Sequence, residues 1–171
     1  RELKLMPILL KNETTGIRID DQSLKKKHIV WNRNNEIVDT WLRKKLKNSD
    51  LNIDSSDDLA DSLENCGYIG DWVLTEKGNR SVSKTNLPQA INNNELLNVL
   101  AYRSALKNTL TTFVRPWLRM ADVNKGFIHC NWSQVRNTDE RGKSSAGART
   151  GRVQSSPNFQ NIQNPKKIIV P

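Results

Sequence analysis

Apolar positions recur at helical spacing through most of the chain and alternate in only two short stretches. Residues 2–15 carry Leu3, Leu5, Ile8, Leu9 and Leu10 in a short helical pattern that Gly16 ends. Ile17-Arg18-Ile19-Asp20 then alternates as a brief strand or extended link. Residues 22–48 predict a long helix: Leu24, Ile29, Ile37, Val38, Trp41, Leu42 and Leu46 fall roughly on one face, with Lys and Arg over the remainder. The stretch Trp31 to Asn35 is poor in helix formers and predicts an irregularity there. Ser55 stands as the cap of the next helix, with Asp58 at the capping-box position. Leu59, Leu63 and Cys66 face the core, and Gly67 is the stop. Residues 68–82 form a loop containing Gly70 and Gly78; Ser83 caps a short helix through Leu87, which Pro88 interrupts or restarts. Residues 94–118 form the strongest predicted helix, with Leu96, Leu97, Leu100, Leu106, Leu110 and Phe113 along one side. Beyond it, Gly126 to Arg136 alternates and is rich in aromatic and β-branched residues, as a strand is. Residues 137–148 are polar and Gly/Ser-rich, a loop, and Val153 to Pro171 is an extended run punctuated by proline. The chain is therefore expected to be mostly helical α+β, without an internal repeat.

Its 171 residues suffice for one domain or two small subdomains and a modest core. No apolar run approaches membrane-spanning length and no signal-peptide pattern opens the chain, so a soluble protein with no membrane partner is expected. The chain begins at Arg1 rather than Met, in keeping with a piece of something longer. Cys66 and Cys130 are its only cysteines and fit a reducing, intracellular compartment; the CxxC spacing of a zinc site is absent. His129 beside Cys130 makes a poor ligand pair, because neighbours on a strand point to opposite faces. Formal net charge is +9, and its placement is uneven. From residue 101 onward twelve Lys/Arg face three acids, which accounts for the whole excess and leaves the first hundred residues neutral. A segregated basic half fits a polyanion partner, although a solvated basic surface has the same composition.

Two apparent catalytic motifs fail on inspection. Gly142-Lys143-Ser144-Ser145 has the ending of a phosphate-binding loop, but Asn137 stands where that loop needs its first glycine. Ser144, Ser145 and His129 have no carboxylate placed to complete a nucleophilic triad.

The informative stretch is Thr150-Gly151-Arg152-Val153-Gln154-Ser155-Ser156-Pro157-Asn158-Phe159-Gln160-Asn161-Ile162. It resembles the T-G-R, S-S and P-N-x-Q-N-I signature of family A DNA polymerases, the bacterial DNA polymerase I type. Further elements match in the same order. Glu13-Thr14-Thr15-Gly16-Ile17-Arg18-Ile19-Asp20 is similar to the element that opens the polymerase domain. Asn52-Ile53-Asp54-Ser55 with Leu59 resembles the start of a thumb helix. Thr75 to Ser83 with Leu87 resembles the thumb-tip loop, with Val82 in place of the usual Thr. Tyr102-Arg103, Lys107 and Thr112-Phe113 resemble a Y-R-x-x-x-K … T-Y helix, with Phe for Tyr and one extra residue before it. Gln163 stands where Pro follows the signature. The likeness covers nearly the whole chain, and its Asn-rich style resembles that of phage or plasmid proteins.

That resemblance implies an entry helix and link beside the palm over residues 1–20, a helical thumb over 21–112, and an incomplete N-terminal palm with its first antiparallel β elements over 113–171. It implies DNA-directed DNA synthesis in replication, extending a primer 3′ end from deoxynucleotides. It also implies a cytoplasmic setting in a bacterial or phage-infected host cell. The chemistry of the residues agrees. A polymerase holds duplex of any sequence, so it contacts phosphates and the degenerate minor groove, where purine N3 and pyrimidine O2 accept from Arg, Asn and Gln. Arg152, Asn158, Gln160 and Asn161, with Thr150, Ser155 and Ser156, form such a set. Arg103 and Lys107, four apart on one helix face, are implied to contact the template-strand backbone, with Thr112 nearby. Ser55, Lys77, Asn79, Arg80 and Ser81 are implied to meet phosphates at the thumb tip. Taken singly, Arg103 and Lys107 read as an exposed helix face, Ser55 as a cap, and Asn158, Gln160 and Asn161 as turn residues.

The family holds its two Mg2+ ions with carboxylates in a D-[YF]-S-x-x-E motif and a later H-D-E motif, and neither occurs here. No catalytic residue and no metal ligand is therefore expected in this chain. It is expected to be inactive alone and to work with a palm-and-fingers polypeptide carrying those motifs. The alternatives are a stand-alone module that grips duplex DNA without chemistry, one half of a split polymerase, or a decayed remnant.

Overall fold

The computed structural model describes residues 2–133, 153–157 and 159. The chain is mostly helical, with a few short antiparallel strands, and divides into two compact units. One unit holds the described residues up to Ile29 together with those from Thr109 onward; the other is Val30–Asn108. The compact units thus change over at 29/30 and 108/109, whereas the predicted thumb runs from 21 to 112.

In the first unit, helix α1 (Glu2–Thr15) leads through Gly16 into strand β1 (Ile17–Arg18). Gly16 is fixed by two requirements. Its φ is +73°, and a Cβ there would lie 2.9 Å from His129 Cε1. Strand β2 (Phe127–Ile128) pairs antiparallel with β1, Ile17 opposite Ile128. Strand β3 (Asn131–Ser133) pairs instead with β4 (Gln154–Ser156), Trp132 opposite Ser155. The single strand predicted from Gly126 to Arg136 is therefore two strands with different partners, broken at His129–Cys130; residues 134–136 lie outside the described set. The predicted loop 137–148 lies outside it too.

Helix α2 (Asp21–Lys45) opens on Asp20, whose carboxylate accepts from the Ser23 amide and hydroxyl at 3.0 and 2.6 Å. It runs unbroken through Trp31–Asn35, against the predicted irregularity. Leu42 and Leu46 are buried beyond that stretch, with Val38 and Trp41 packed against the same core, and helices are held more by such packing than by local propensity.

Among the described residues the second unit has the larger core. Leu42, Leu46, Leu51, Ile53, Leu59, Leu63, Leu87, Ile91, Leu96 and Leu100 form one buried cluster. Each such side chain contributes about 1.5–3 kcal/mol by leaving water. Helix α3 (Ser56–Asn65) starts as predicted: Ser55 is extended and its hydroxyl accepts from the Asp58 amide at 3.3 Å. Gly67 ends it with φ +70°, and the Cys66 thiol donates to Leu46 O at 3.1 Å. Helix α4 (Leu87–Ala90) begins later than predicted. Ser83 is not its cap; Asn86 occupies that position without a side-chain bond to the helix amides, and Pro88 lies in the first turn, where a missing N–H costs nothing.

The predicted 94–118 helix is three pieces: α5 (Asn94–Asn108), a π-helical turn (Thr109–Val114) and α6 (Arg115–Val123). A π-turn takes an extra residue into the helical path. The β-branched Thr109, Thr111 and Thr112 lie in it, and Phe113 and Val114 are buried. No helix among the described residues is long and apolar enough to cross a membrane.

Candidate nucleic-acid interface

Within Val30–Asn108 the residues singled out from sequence fall into three local structures. The first is an ion network. Arg103 is buried, with 7% of its surface exposed. Its Nε donates to Asp39 Oδ1 and its Nη1 to Asp54 Oδ1, both at 2.7 Å, while Lys107 pairs with the other Asp54 oxygen. Desolvation works against the Arg103 charge, yet the two carboxylates offset it and hold its pKa above the ordinary value. The Arg103 hydrogen bond holds the Asp54 carboxyl below its usual range, aided by Lys107 and opposed by partial burial. Arg103 and Lys107 therefore do not form the exposed basic face that their spacing predicts. Arg103 ties α2, the loop before α3 and α5 together, because its fork geometry matches two carboxylates at once.

The second structure is the loop Thr75–Ser81. Thr75 Oγ1 accepts from the Asn79 amide at 3.1 Å and Thr75 O from the Gly78 amide at 2.8 Å, closing a tight turn. Lys77 and Asn79 are exposed on it. Arg80 is not a free cation. It donates to Asp61 at 2.6 Å and Glu64 at 2.7 Å on α3 and sits 5.9 Å from the Trp72 ring, whose Nε1 donates to Glu64 at 2.6 Å. Ser81 is buried, its hydroxyl accepting from Asn86 Nδ2 at 2.9 Å. The third structure is the Ser55 cap, only partly exposed and turned to the Asp58 amide.

In the other unit the chain ends of the sequence motifs are clasped together. Glu13 Oε1 accepts from the Trp132 amide, and Glu13 O is 2.8 Å from His129 Nδ1. His129 thus serves the clasp that ties α1 to the β2–β3 segment. Cys130 is buried and its thiol donates to Pro157 O at 3.4 Å; burial pushes its pKa up. Ser155 is buried in β4, and its Oγ accepts from the Phe159 amide at 3.1 Å. Ser156 is exposed. Phe159 stacks on Trp117 at 5.1 Å, and Trp117 meets Phe113 edge-on at 5.7 Å. This aromatic series pins the described part of the signature against α6. Thr112 is exposed on the π-turn. Thr150, Arg152, Asn158, Gln160 and Asn161 lie outside the described residues.

Sequence reasoning missed Asp39, Asp54, Trp117 and the Asp61–Glu64 pair. Only Asp54 carried a signal, as an acid inside the Asn52–Ser55 motif and thus tied to its geometry. Among the described residues no group of three or more His, Cys, Asp or Glu converges to hold a metal. Compared with models of known protein families and with curated proteins, the chain matches none.

Proposed function

We propose that this chain is the thumb and N-terminal palm portion of a DNA-directed DNA polymerase of the family A type, and that it holds primer–template duplex. The observation that carries the reading is the order of five motifs along the chain, ending in Thr150–Ile162. Three structural facts support it. The motif residues Glu13, Gly16, Asp20, Ser55, Thr75 and Ser81 each make a specific clasp, cap or turn rather than lying at indifferent positions. The π-turn takes up a residue where the chain carries one more than the Y-R-x-x-x-K … T-Y pattern. Val30–Asn108 holds ten Lys/Arg against eleven Asp/Glu, so the remainder, which includes the signature, carries a net +10. Duplex attraction then comes chiefly from that remainder, with Lys77 and Asn79 as the exposed donors of the Thr75–Ser81 loop.

Nucleotidyl transfer requires two divalent metals on carboxylates. The described residues do not fit them, and no chemical step is assigned to this chain. In this reading a palm-and-fingers polypeptide supplies the Mg2+ ligands and the deoxynucleotide site. The test is fluorescence-anisotropy binding to a primer–template duplex across a salt series, with Arg152→Ala and Gln160→Ala as variants. Salt-sensitive binding that weakens in both variants is the expected result. Absent binding, or binding indifferent to both changes, would overturn it.

A further inference from the structure

Helix α2 ends in a corner that the polymerase motifs do not include. Thr40, Arg43, Lys44, Lys47, Asn48 and Ser49 line an open concavity of about 500 Å³. No carboxylate lines it. Cations at a helix C-terminus ordinarily answer the exposed carbonyls there. Here three of the carbonyls at that end are already satisfied. Leu42 O accepts from the Leu46 amide at 2.8 Å, Arg43 O from Asn48 at 3.0 Å and Lys44 O from Lys47 at 3.2 Å. The Arg43 Nε donates to Leu51 O at 3.2 Å, and Lys45 pairs with Glu95 at 3.0 Å. Lys44 and Lys47 make no ion pair among the described residues.

Lys47 adds a second observation. The bonds from Asn48 to Arg43 and from Lys47 to Lys44 are those of a Schellman ending, and Lys47 has φ +50°. Glycine adopts that left-handed conformation without cost, whereas a residue with a Cβ is disfavoured there. A lysine therefore occupies the place where glycine would serve the fold better, which points to a use for its ammonium group outside the fold.

We propose that this corner is a phosphate-binding site that takes the backbone phosphate of a nucleic-acid strand, in addition to the contacts implied by the motifs. The proposal rests on the reading that the chain binds DNA. Lys44 and Lys47 supply two mobile charges for one phosphodiester, and the absence of a lining carboxylate removes the repulsion that an anion meets along the acidic face of α3.

Lys47→Gly and Lys44→Gln in the full chain separate binding from folding. Lys47→Gly is expected to raise the melting temperature, because the left-handed residue no longer carries a Cβ. It is also expected to weaken duplex binding and to lower the slope of log K against log salt by about one. Lys44→Gln is expected to lower the slope similarly with an unchanged melting temperature. If the wild type binds duplex and both variants keep its affinity and slope, the corner is not a phosphate site and the DNA reading stands. Weakening confined to Lys47→Gly and accompanied by a lower melting temperature would also overturn the site. If the wild type binds no duplex, both fall.

Discussion

Arg103 shows how far one residue's surroundings redirect its role. Spacing alone places it beside Lys107 on an outward helix face. The fold buries it and surrounds its guanidinium with Asp39 and Asp54. A buried cation stripped of a partner is costly, because the remaining charge keeps its desolvation penalty. Asp39→Asn is therefore expected to lower stability by roughly 3 kcal/mol in urea melts. Asp54→Asn is expected to cost less, since the Asp54 side chain is 47% exposed and screened by water. Equal effects, or a neutral Asp39→Asn, would remove Arg103 from its role as a tie. For DNA contact the consequence is direct: the Arg103 charge is already balanced by two carboxylates in a buried setting and adds little attraction for a phosphate.

Among the elements, the two serines predicted as caps separate cleanly. Ser55 caps α3 through the Asp58 amide, whereas Ser83 precedes a helix that begins at Leu87. Ser55→Ala is expected to cost about 1 kcal/mol and Ser83→Ala under about 0.5 kcal/mol in thermal melts, because only the first leaves a helix N–H without its acceptor. The difference was partly legible beforehand. Ser55 is followed by a clear apolar repeat, while the segment after Ser83 is short and contains Pro88, which favours a first turn over an interior one. The π-turn was less legible: Thr109–Val114 keeps helical hydrophobic spacing, and the turn buries Thr109, Leu110, Phe113 and Val114.

For the whole molecule, acidification links these parts. Asp54 and Asp20 have carboxyls held below their usual range, by Arg103 and Lys107 in one case and by the Ser23 bonds in the other. A group whose folded pKa is depressed adds stability above its unfolded pKa and loses it as pH falls through the folded one. The melting temperature is therefore expected to fall as pH drops below about 4. Asp54→Asn is expected to start lower at neutral pH and to show a shallower fall. An identical acid profile in the variant would remove Asp54 from the linkage.

The sequence by itself determined the mostly helical α+β character, the Ser55 cap, the glycine stops and the motif order, because each depends on neighbours within a few positions. The tertiary structure alone decided the rest. It joined Glu13 to Trp132, closed Asp39 and Asp54 around Arg103, gave β2 and β3 separate partners, and set Phe159 on Trp117. Those contacts join residues far apart in the chain. Charge and hydrogen-bonding capacity show that a side chain needs a partner, but only the packed fold selects which one.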